Sequence, residues 1–538
     1  MSAYPSRVRL GRLSITAVAA SLAAATVLLS LGVKVQPPAK TDSKPASSRH
    51  VVIIAWDGMR PDLVTPENAP TLSRMAADGV TFRRHHAVYL SATHVNSTAI
   101  ETGMYPQHSG LIANYDYRPG IEKKNFVSTE QARVIAKGDK ISHGKYLAVP
   151  TLAELVRRAG GRTDVAAAKT VGFLLDRQPD GPDSGRGVTL SAGEALPAGA
   201  LAPIVAAIGP FPASPTSTYA QRDEWTTRAL TQLLWKEGVP ALSILWLGEP
   251  DLTQHETAPG SPSALAAIKA SDRNLATVLA ALDRKGARDS TDVFVVSDHG
   301  FSTIEHANDL RDYLGKAGLK ATTDFKDEPK RGDILMVGNG GSVLFYIEGH
   351  EEGARQRLLE ALENSRFAGV LFTKEGAAGT FPFAQAQIDA PGGPDVIMAF
   401  RWNDHRNQFG VPGMIDSDWN RQSGKGTHAT LSRFDMHNTL IAAGPDFRRG
   451  TVDDLPTGNV DLAPTILQIL QIKSPQPMDG RVLREAMADA MEAEKAATET
   501  LTATRNFPDG TWRQTLQRSR VGTTVYLDEG NGSYTPKK

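Results

Sequence analysis

The 538-residue sequence contains no cysteine. Disulfide bonds, thiolate metal ligands, a cysteine nucleophile and a lipidated N-terminal cysteine are therefore all excluded. Any transition-metal site must instead be built from histidine, aspartate and glutamate side chains. The chain has 13 histidines and 59 acidic residues, so ligands of this kind are available in number.

The sequence also lacks an excess of charge of either sign. Lys and Arg total 59, as do Asp and Glu, so the formal net charge is zero at pH 7. The composition gives no electrostatic basis for nucleic acid or an anionic membrane surface as the main partner. Apolar residues make up 41% of the chain and charged residues 22%, the ordinary balance of a globular protein. We expect a small-molecule partner and no specific nucleic-acid binding.

Long uncharged runs are rare, and the one near the N-terminus is distinctive. Three arginines precede an uncharged stretch at residues 13–33, a pattern typical of an export signal. The stretch reaches the roughly 20 residues that a membrane span needs. Residues 1–35 are therefore predicted to be either a cleaved signal peptide or an uncleaved membrane anchor. We expect the rest of the chain to act outside the cytoplasm, in the periplasm or another extracytoplasmic space, either soluble or anchored.

Beyond a Pro-, Ser- and Lys-rich linker at residues 36–49, the sequence alternates between apolar runs and helix-like segments. The stretches HVVIIAWDG (50–58), ALSILWLGEPD (241–251) and TDVFVVSDHG (291–300) are typical of strands buried on both faces. Amphipathic patterns such as residues 263–286 separate them. This alternation predicts an α/β fold with a mostly parallel central sheet that helices cover on both faces.

The alternation weakens between residues 302 and 421, where Gly, Pro and mixed charges are frequent. We interpret 302–421 as a cap subdomain inserted into a catalytic core, which comprises residues 50–301 and 422–475. The stretches DVIMAFRW and NTLIAAGP are predicted to be further strands. Residues 476–538 are predicted to form an Ala/Glu/Met-rich helix followed by a tail without a chemical signature.

Acidic residues stand where the three apolar runs end. Asp57, Asp251 and Asp298 follow them, and ligands of open parallel sheets collect at the carboxyl ends of strands. An ordinary Asp-Gly turn is the alternative for Asp57. His255 lies four residues after Asp251, a spacing that places both side chains on one face of a helical turn. His299 directly follows Asp298 at the tip of a buried strand.

A further histidine, His428, lies in the glycine-rich stretch GKGTHAT, where an exposed spectator is the alternative. Together the six side chains suit zinc or a similar borderline ion, and Mn or Fe could use the same ligands. Six ligands exceed the four of one tetrahedral ion. Two ions that share the site are the economical interpretation.

Thr93, in YLSATHVNSTAIETG, supplies a hydroxyl just before a helix-like run. An ordinary helix N-cap is the alternative. A divalent ion lowers the pKa of a bound oxygen by several units, and two ions about 4 Å apart suit an in-line displacement at phosphorus. A helix N-terminus further stabilises negative charge. The sequence therefore predicts phosphoryl transfer with Thr93 as the nucleophile.

Several motifs between residues 50 and 472 resemble those of the nucleotide pyrophosphatase/phosphodiesterase family, or type I phosphodiesterases, within the alkaline phosphatase superfamily. They are VVIIAWDGMRPD, TxxN with the TGMYPQHSGL that follows, EPDLTQH, VVSDHGF, GTHAT and NVDLAPTILQIL. The order and character of these motifs carry the resemblance, because each of them alone is common.

The resemblance implies an alkaline-phosphatase-like fold and two zinc ions. One ion would be bound by Asp57, Thr93, Asp298 and His299, and the other by Asp251, His255 and His428. It implies that Thr93 attacks phosphorus and becomes covalently modified, and that Asn114, in GLIANYDY, hydrogen-bonds a non-bridging phosphate oxygen. The expected activity is hydrolysis of a phosphodiester or pyrophosphate bond in a small phosphoester, with nucleotides among the candidates.

The substrate stays open because family members commonly carry an aromatic residue and a proline after the nucleophile, whereas His94 and Val95 stand here. A carbon–phosphorus hydrolase similar to phosphonoacetate hydrolase is an alternative, and it would need a basic residue such as Lys169 or Lys425 at the site. A phosphomonoesterase is less favoured, because residues 92–112 contain no Lys or Arg to hold a dianionic ester. A non-catalytic, membrane-tethered binding protein is disfavoured, because all seven expected positions are present.

Overall fold

A computed structural model of the chain describes residues 49–177, 187–212, 217–377, 379–490 and 495–537. The predicted export segment, residues 1–35, and nearly all of the linker lie outside these described residues. Within the described ranges, none of the helices combines the length and the apolar character needed to cross a membrane.

The strands are numbered here in chain order. They are β1 (His50–Trp56), β2 (Val80–His86), β3 (Tyr115–Asp116), β4 (Val127–Ser128), β5 (Thr163–Ala167), β6 (Gly187–Ser191), β7 (Glu194–Leu196), β8 (Leu242–Leu247), β9 (Thr291–Val296), β10 (Ser302–Ala307), β11 (Ala321–Thr322), β12 (Ile334–Gly338), β13 (Ser342–Ile347), β14 (Ala368–Thr373), β15 (Phe381–Pro382), β16 (Val396–Phe400), β17 (Trp402–Arg406), β18 (Pro412–Ser417), β19 (Gly426–Thr427), β20 (Leu440–Ala443), β21 (Thr451–Gly458), β22 (Ala496–Asn506), β23 (Gly510–Val521) and β24 (Thr524–Pro536).

The α-helices connect these strands and cover the sheets. They span Pro70–Asp78, Thr93–Thr102, Pro106–Ser109, Ala132–Ser142, Leu152–Arg158, Gly172–Leu175, Leu201–Ile208, Tyr219–Arg228, Asp251–Glu256, Pro262–Arg284, Leu310–Lys316, Glu352–Glu363, Arg433–Met436 and Leu462–Ile469.

The central sheet has nine strands in the order β21-β2-β20-β9-β1-β8-β5-β6-β7. Five neighbouring pairs are parallel and three are antiparallel. The prediction of an α/β fold with a mostly parallel central sheet is therefore confirmed. β1 lies in the middle, paired in parallel with β8 and β9, so the three apolar runs of the sequence are neighbours.

Successive side chains of β1 enter two different cores, because side chains alternate between the faces of a strand. Val51 and Ile53 pack in one core, which also takes in the helix Thr93–Thr102. Val52 and Ile54 pack in the other, against the helix Pro262–Arg284. Full burial of each such side chain stabilises the fold by roughly 1.5–3 kcal/mol. The continuous apolar run thus reflects helices on both faces of the sheet.

Residues 302–421, together with β19 at Gly426–Thr427, form two further sheets beside the nine-stranded one. One is six-stranded, in the order β11-β12-β13-β16-β14-β15, and the other is four-stranded, in the order β17-β18-β10-β19. The predicted strand DVIMAFRW is β16 and belongs to the six-stranded sheet. The predicted strand NTLIAAGP is β20 and lies in the central sheet, antiparallel to β9.

The prediction of a C-terminal helix followed by a featureless tail is wrong within residues 476–490 and 495–537. A single 3-10 turn is present there, at Arg484–Ala486, and β22, β23 and β24 form an antiparallel sheet. Alternate residues of β23 are buried on one face, namely Trp512, Gln514 and Leu516. The Gln514 side-chain amide accepts from the N–H of Leu371 in β14 and donates to the carbonyl of the same residue. The Ala- and Glu-rich composition indicated a helix, but contacts with a distant strand decide the structure.

Candidate active site

The site lies at the carboxyl ends of β1, β8 and β9, three adjacent strands of the central sheet. Asp57 follows β1 directly, Asp298 follows β9, and Asp251 begins the helix Asp251–Glu256 after β8. Each of the three residues is at most 1% exposed. The backbone N–H of Asp251 also donates to the Asp57 carbonyl, which fixes two of the loops together. The structure thus brings the three predicted acids to one point.

Thr93 is the first residue of the helix Thr93–Thr102, and Ala92 occupies the N-cap position. The interpretation of Thr93 as an N-cap is therefore wrong. Its hydroxyl is buried and faces the acidic cluster, with Oγ1 3.3 Å from His299 Nε2 and 3.5 Å from Asp57 Oδ1. The extended segment before Thr93 ends at this point. The Thr93 hydroxyl therefore lies at a helix N-terminus, close to the carboxyl ends of the strands.

Asn96 holds the loop that precedes Thr93. Its side-chain oxygen accepts from Val88 N, and its amide nitrogen donates to the carbonyls of Val88, Leu90 and Ala92. Asn459 then links Asn96 to the Asp298 carbonyl through its own amide nitrogen. The conformation that presents Thr93 is in this way bonded to the loop that presents Asp298.

The three site histidines share one hydrogen-bonding arrangement. In each ring Nδ1 lies 2.8–3.0 Å from a backbone carbonyl oxygen, and these oxygens belong to Gly426 for His255, Gly300 for His299 and Ser91 for His428. A carbonyl oxygen only accepts, so Nδ1 carries the proton. The lone pair therefore stands on Nε2, the tautomer that a metal-binding histidine requires.

Each Nε2 faces a carboxylate oxygen. The His299 nitrogen is 3.2 Å from Asp298 Oδ2, and those of His255 and His428 are 3.3 and 3.6 Å from Asp251 Oδ1. Both carboxylate oxygens are buried without a hydrogen-bond partner among the described residues. Two buried hydrogen-bond acceptors that face each other destabilise the folded protein unless a cation lies between them.

The donor set therefore fits metal ions. Potential ligand atoms lie within 4.8 Å of one another in two groups, Asp57 with Asp298 and His299, and Asp251 with His299 and His428. Burial, and then the charge of Asp298, raises the pKa of Asp57 well above its usual value. This is the response of a buried carboxylate beside another negative charge. The predicted ligands all lie here, together with the Thr93 hydroxyl.

Lys169 supplies a positive charge from a part of the chain that the sequence argument could not locate. It follows β5, and its Nζ lies 2.9 Å from Asp57 Oδ2 and 3.0 Å from Asp251 Oδ2. Although burial opposes it, the charges of Asp251 and Asp57 raise the pKa of Lys169 well above its usual value. Lys425, the other candidate, donates to the Glu256 carbonyl instead. The absence of Lys and Arg in residues 92–112 therefore does not leave the site without a cation.

The outer carboxylate oxygens are held in place, which turns the inner oxygens toward the histidines. Besides Lys169, the Trp246 indole N–H donates to Asp57 Oδ2 at 2.8 Å, and Gly58 N donates to Asp298 Oδ1 at 3.0 Å. Sequence reasoning missed Trp246, because it stands inside an apolar run that reads as core. Only its hydrogen-bond partner Asp57, at the end of the neighbouring strand β1, reveals the polar role.

Gly300 allows its own backbone and that of Phe434 to approach each other closely. A Cβ on Gly300 would lie 2.0 Å from the Phe434 carbonyl oxygen. Phe434 and Asp435 in turn accept from the backbone N–H groups of Phe301 and Gly300. The glycine thus lets the Asp298–His299 loop pack against the segment that follows His428.

Asn114 and His94 lie beside the N-terminus of the Thr93 helix. The Asn114 side-chain oxygen accepts from His94 N at 2.8 Å. The His94 ring is buried, with Nδ1 2.9 Å from Thr129 Oγ1 and Nε2 2.9 Å from Glu130 Oε2. Both ring nitrogens are therefore engaged within the protein. Although burial opposes it, His94 lowers the pKa of Glu130 to about 2.

Known proteins that are similar to this chain carry the names of phosphodiesterases and pyrophosphatases. The family model for type I phosphodiesterase/nucleotide pyrophosphatase matches residues 51–387. Ectonucleotide pyrophosphatase/phosphodiesterase family member 7 of Rattus norvegicus is 22% identical over 461 residues, which are 84% of this chain and 91% of that protein. Bis(5'-adenosyl)-triphosphatase enpp4 of Xenopus laevis is 22% identical over 288 residues, 53% of this chain and 54% of that protein.

Solved structures show the same fold. Murine ectonucleotide pyrophosphatase/phosphodiesterase 5 matches with a TM-score of 0.57 and 16% identity, over 82% of this chain and 100% of that one. An inactive threonine-to-alanine variant of the murine protein, in complex with AMP, matches with a TM-score of 0.56. Because the family model covers more than half of the 538 residues, the chain belongs to the type I phosphodiesterase/nucleotide pyrophosphatase family and is a hydrolase.

Proposed function

We propose that the protein hydrolyses a phosphodiester or pyrophosphate bond through a covalent phosphothreonine at Thr93. The observation that carries this proposal is the position of the Thr93 hydroxyl. It lies at a helix N-terminus, 3.3 Å from His299 Nε2 and 3.5 Å from Asp57 Oδ1, within a buried cluster of metal-ligand side chains. A nucleophile, its activating groups and a helix dipole are thus together.

We propose two divalent cations, zinc in the first place, as the cofactor. One is assigned to Asp57, Thr93, Asp298 and His299, and the other to Asp251, His255 and His428. When bound, such ions lower the pKa of an oxygen ligand and stabilise negative charge on phosphate oxygens. The unpartnered oxygens of Asp251 and Asp298 support this assignment, and so does the common tautomer of the three histidines.

The residues of the chain have separate parts in the reaction. Thr93 Oγ1 gives its proton to water and attacks phosphorus. The bond from phosphorus to the leaving oxygen breaks as that oxygen departs with its electron pair and takes up a proton from water. The positive end of the dipole of the Thr93 helix stabilises the negative charge. Water then hydrolyses the phosphothreonine, which restores the hydroxyl and releases the phosphoryl product. Asn114, held beside the helix N-terminus, is assigned to a non-bridging phosphate oxygen.

Nucleotides are the first substrate class to examine. Relatives carry the names pyrophosphatase and bis(5'-adenosyl)-triphosphatase, and the murine neighbour was solved with AMP. A carbon–phosphorus hydrolase is less favoured, because the basic residue Lys169 is paired with Asp57 and Asp251. We further propose that the protein acts outside the cytoplasm, with residues 1–35 as a signal peptide or an anchor, which cell fractionation would test.

Initial rates on matched substrates would test the reaction. Bis(4-nitrophenyl) phosphate, 4-nitrophenyl phosphate, a dinucleotide and phosphonoacetate represent the diester, monoester, nucleotide and carbon–phosphorus classes. We expect the diester and the dinucleotide to be turned over faster than the other two. Faster monoester turnover would assign a phosphomonoesterase, and phosphate release from phosphonoacetate alone would assign the carbon–phosphorus hydrolase.

Thr93→Ala would test the nucleophile. Turnover of the diester is expected to fall about 10³-fold or more, while most of the bound metal stays. Thr98→Ala is the matched control, since Thr98 is buried in the same helix and its hydroxyl donates only to the His94 carbonyl. Wild-type turnover by the Thr93 variant would refute the assignment.

A further inference from the structure

A second set of metal-ligand side chains lies outside the active site. His86 ends β2, His437 lies between the helix Arg433–Met436 and β20, and Asp528 lies in β24. One potential ligand atom from each lies within 4.8 Å of the other two. None of these residues belongs to the active-site cluster, and the phosphodiesterase reaction uses none of them.

His86 has the hydrogen bonding of a metal ligand. Its Nδ1 lies 2.8 Å from the Thr457 carbonyl oxygen, so Nδ1 carries the proton. Nε2, with its lone pair, then lies 3.1 Å from Asp528 Oδ1. The ring is 1% exposed and is stacked on Tyr526, with ring centroids 5.6 Å apart. This is the arrangement found in the three active-site histidines.

His437 contributes a ring nitrogen, Nε2, that has no hydrogen-bond partner among the residues the structure describes. This nitrogen is buried. The ring stands edge-on to His86, with centroids 4.6 Å apart, and the backbones of the two residues form an isolated β-bridge. A buried polar atom left unpaired destabilises the folded protein, and a bound ion would offset this cost.

Asp528 is oriented from its far side. Ser519 Oγ donates to Oδ2 at 2.8 Å, which leaves Oδ1 toward the two imidazoles. Arg84 also reaches Oδ1, at the long distance of 3.4 Å, but its shorter bond at 2.8 Å is to Ser519 Oγ. Oδ1 therefore keeps a lone pair available for a cation on the histidine side.

We propose that His86, His437 and Asp528 bind a divalent transition-metal ion, zinc in the first place, that fastens the C-terminal sheet to the core. Two imidazoles and a carboxylate are ligands that zinc prefers, with water as the fourth. Zinc–ligand bonds of about 2.0–2.2 Å place ligand atoms roughly 3.4 Å apart. The present separations, which are at most 4.8 Å, exceed this value by about 1.4 Å or less. The ion would join β2 and the loop before β20 to β24.

Metal content would test the site. Purified full-length protein is stripped with a chelator, dialysed against Zn²⁺, and analysed for zinc per chain. His437→Gln and Asp528→Asn are each expected to bind one ion fewer than the wild type. His306→Gln is the matched control, because His306 also pairs with an aspartate, Asp416 at 3.0 Å, but is exposed and belongs to no group of three ligands among the described residues.

Two further measurements separate this site from the active site. Diesterase turnover of His437→Gln and Asp528→Asn is expected to stay within about twofold of the wild type, because neither residue is at the reacting centre. Cobalt titration of the stripped protein is expected to lose one equivalent of visible absorption in the same variants. Equal metal content in His437→Gln, Asp528→Asn and the control would overturn the proposal. Loss of two ions together with loss of diesterase activity in either variant would also overturn it. Asp528→Asn decides the matter if His437→Gln does not fold.

Discussion

Replacement of Lys169 by methionine would show how strongly the buried acids depend on this cation. The Lys169 ammonium lies within 3.0 Å of both Asp57 and Asp251, and the three side chains are 17%, 0% and 2% exposed. Methionine keeps most of the side-chain volume and removes the charge. The variant therefore leaves two buried carboxylates without their shared partner, while the packing changes little.

The expected loss of stability follows from that burial. Removal of one partner of a buried ion pair costs about 3–5 kcal/mol, because the remaining charge is left uncompensated. Lys320→Met is the matched control, since Lys320 makes two contacts of 3.0 and 3.1 Å with Asp333 but is 75% exposed. An exposed pair contributes about 1 kcal/mol or less. The two variants thus remove the same kind of lysine–aspartate ion pair and differ in how deeply that pair is buried.

Urea unfolding of the chelator-treated proteins at pH 8, followed by tryptophan fluorescence, would measure both free energies of unfolding. The deficit of Lys169→Met is expected to shrink at pH 5, because burial already raises the pKa of Asp57 and this carboxylate takes up a proton when its cation is gone. It is also expected to shrink when Zn²⁺ is added, since bound cations would replace the missing charge. Unfolding free energies of the two variants within about 0.5 kcal/mol of each other at pH 8 would refute the reasoning.

Three other substitutions follow from single contacts. Asn114→Ala is expected to lower kcat for the diester about 10²-fold, by analogy with loss of one donor to a developing charge, and an unchanged kcat would contradict its assignment. Gly300→Ala is expected to lower both kcat and the thermal midpoint, because its Cβ would lie 2.0 Å from the Phe434 carbonyl; a variant with wild-type values would show that the loop moves freely. Burial, against the opposing charge of Arg505, raises the pKa of Glu363 to about 7, so the folded protein binds more protons than the unfolded chain between about pH 4.5 and 7. The free energy of unfolding should therefore fall by up to roughly 3 kcal/mol as the pH rises through that window. Glu363→Gln should remove this fall, and thermal midpoints at pH 5 and pH 8 would measure it. An unaltered pH profile in the variant would contradict the prediction.

Local patterns carried the prediction of the fold. Continuous apolar runs predicted strands buried on both faces, and the alternation of β1 side chains between two cores is the physical reason for those runs. The same patterns indicated Asp57, Asp251 and Asp298, because a strand that ends in an acid places it at the edge where ligands of such sheets bind. The four-residue spacing of Asp251 and His255 needed only the geometry of one helical turn.

Composition misled where distant contacts decide the structure. The segment after residue 476 is rich in Ala and Glu, yet β22 to β24 form a sheet because β23 packs against β14 through the Gln514 amide. This contact joins residues 143 positions apart, and no local periodicity in the sequence predicts it. The absence of basic residues near Thr93 misled in the same way, because the cation comes from Lys169.

The sequence by itself determined the fold class, the family and the side chains able to hold metal ions, since each of these depends on periodicity, residue type and motif order within short stretches. Only the tertiary structure decided which oxygens and nitrogens face one another. It showed that Trp246 and Lys169 hold the outer atoms of the acids, that Thr93 begins its helix with its hydroxyl toward them, and that His86, His437 and Asp528 converge. Hydrogen bonds and ion pairs act over about 3 Å of space, and chain distance carries no information about which groups come within that range.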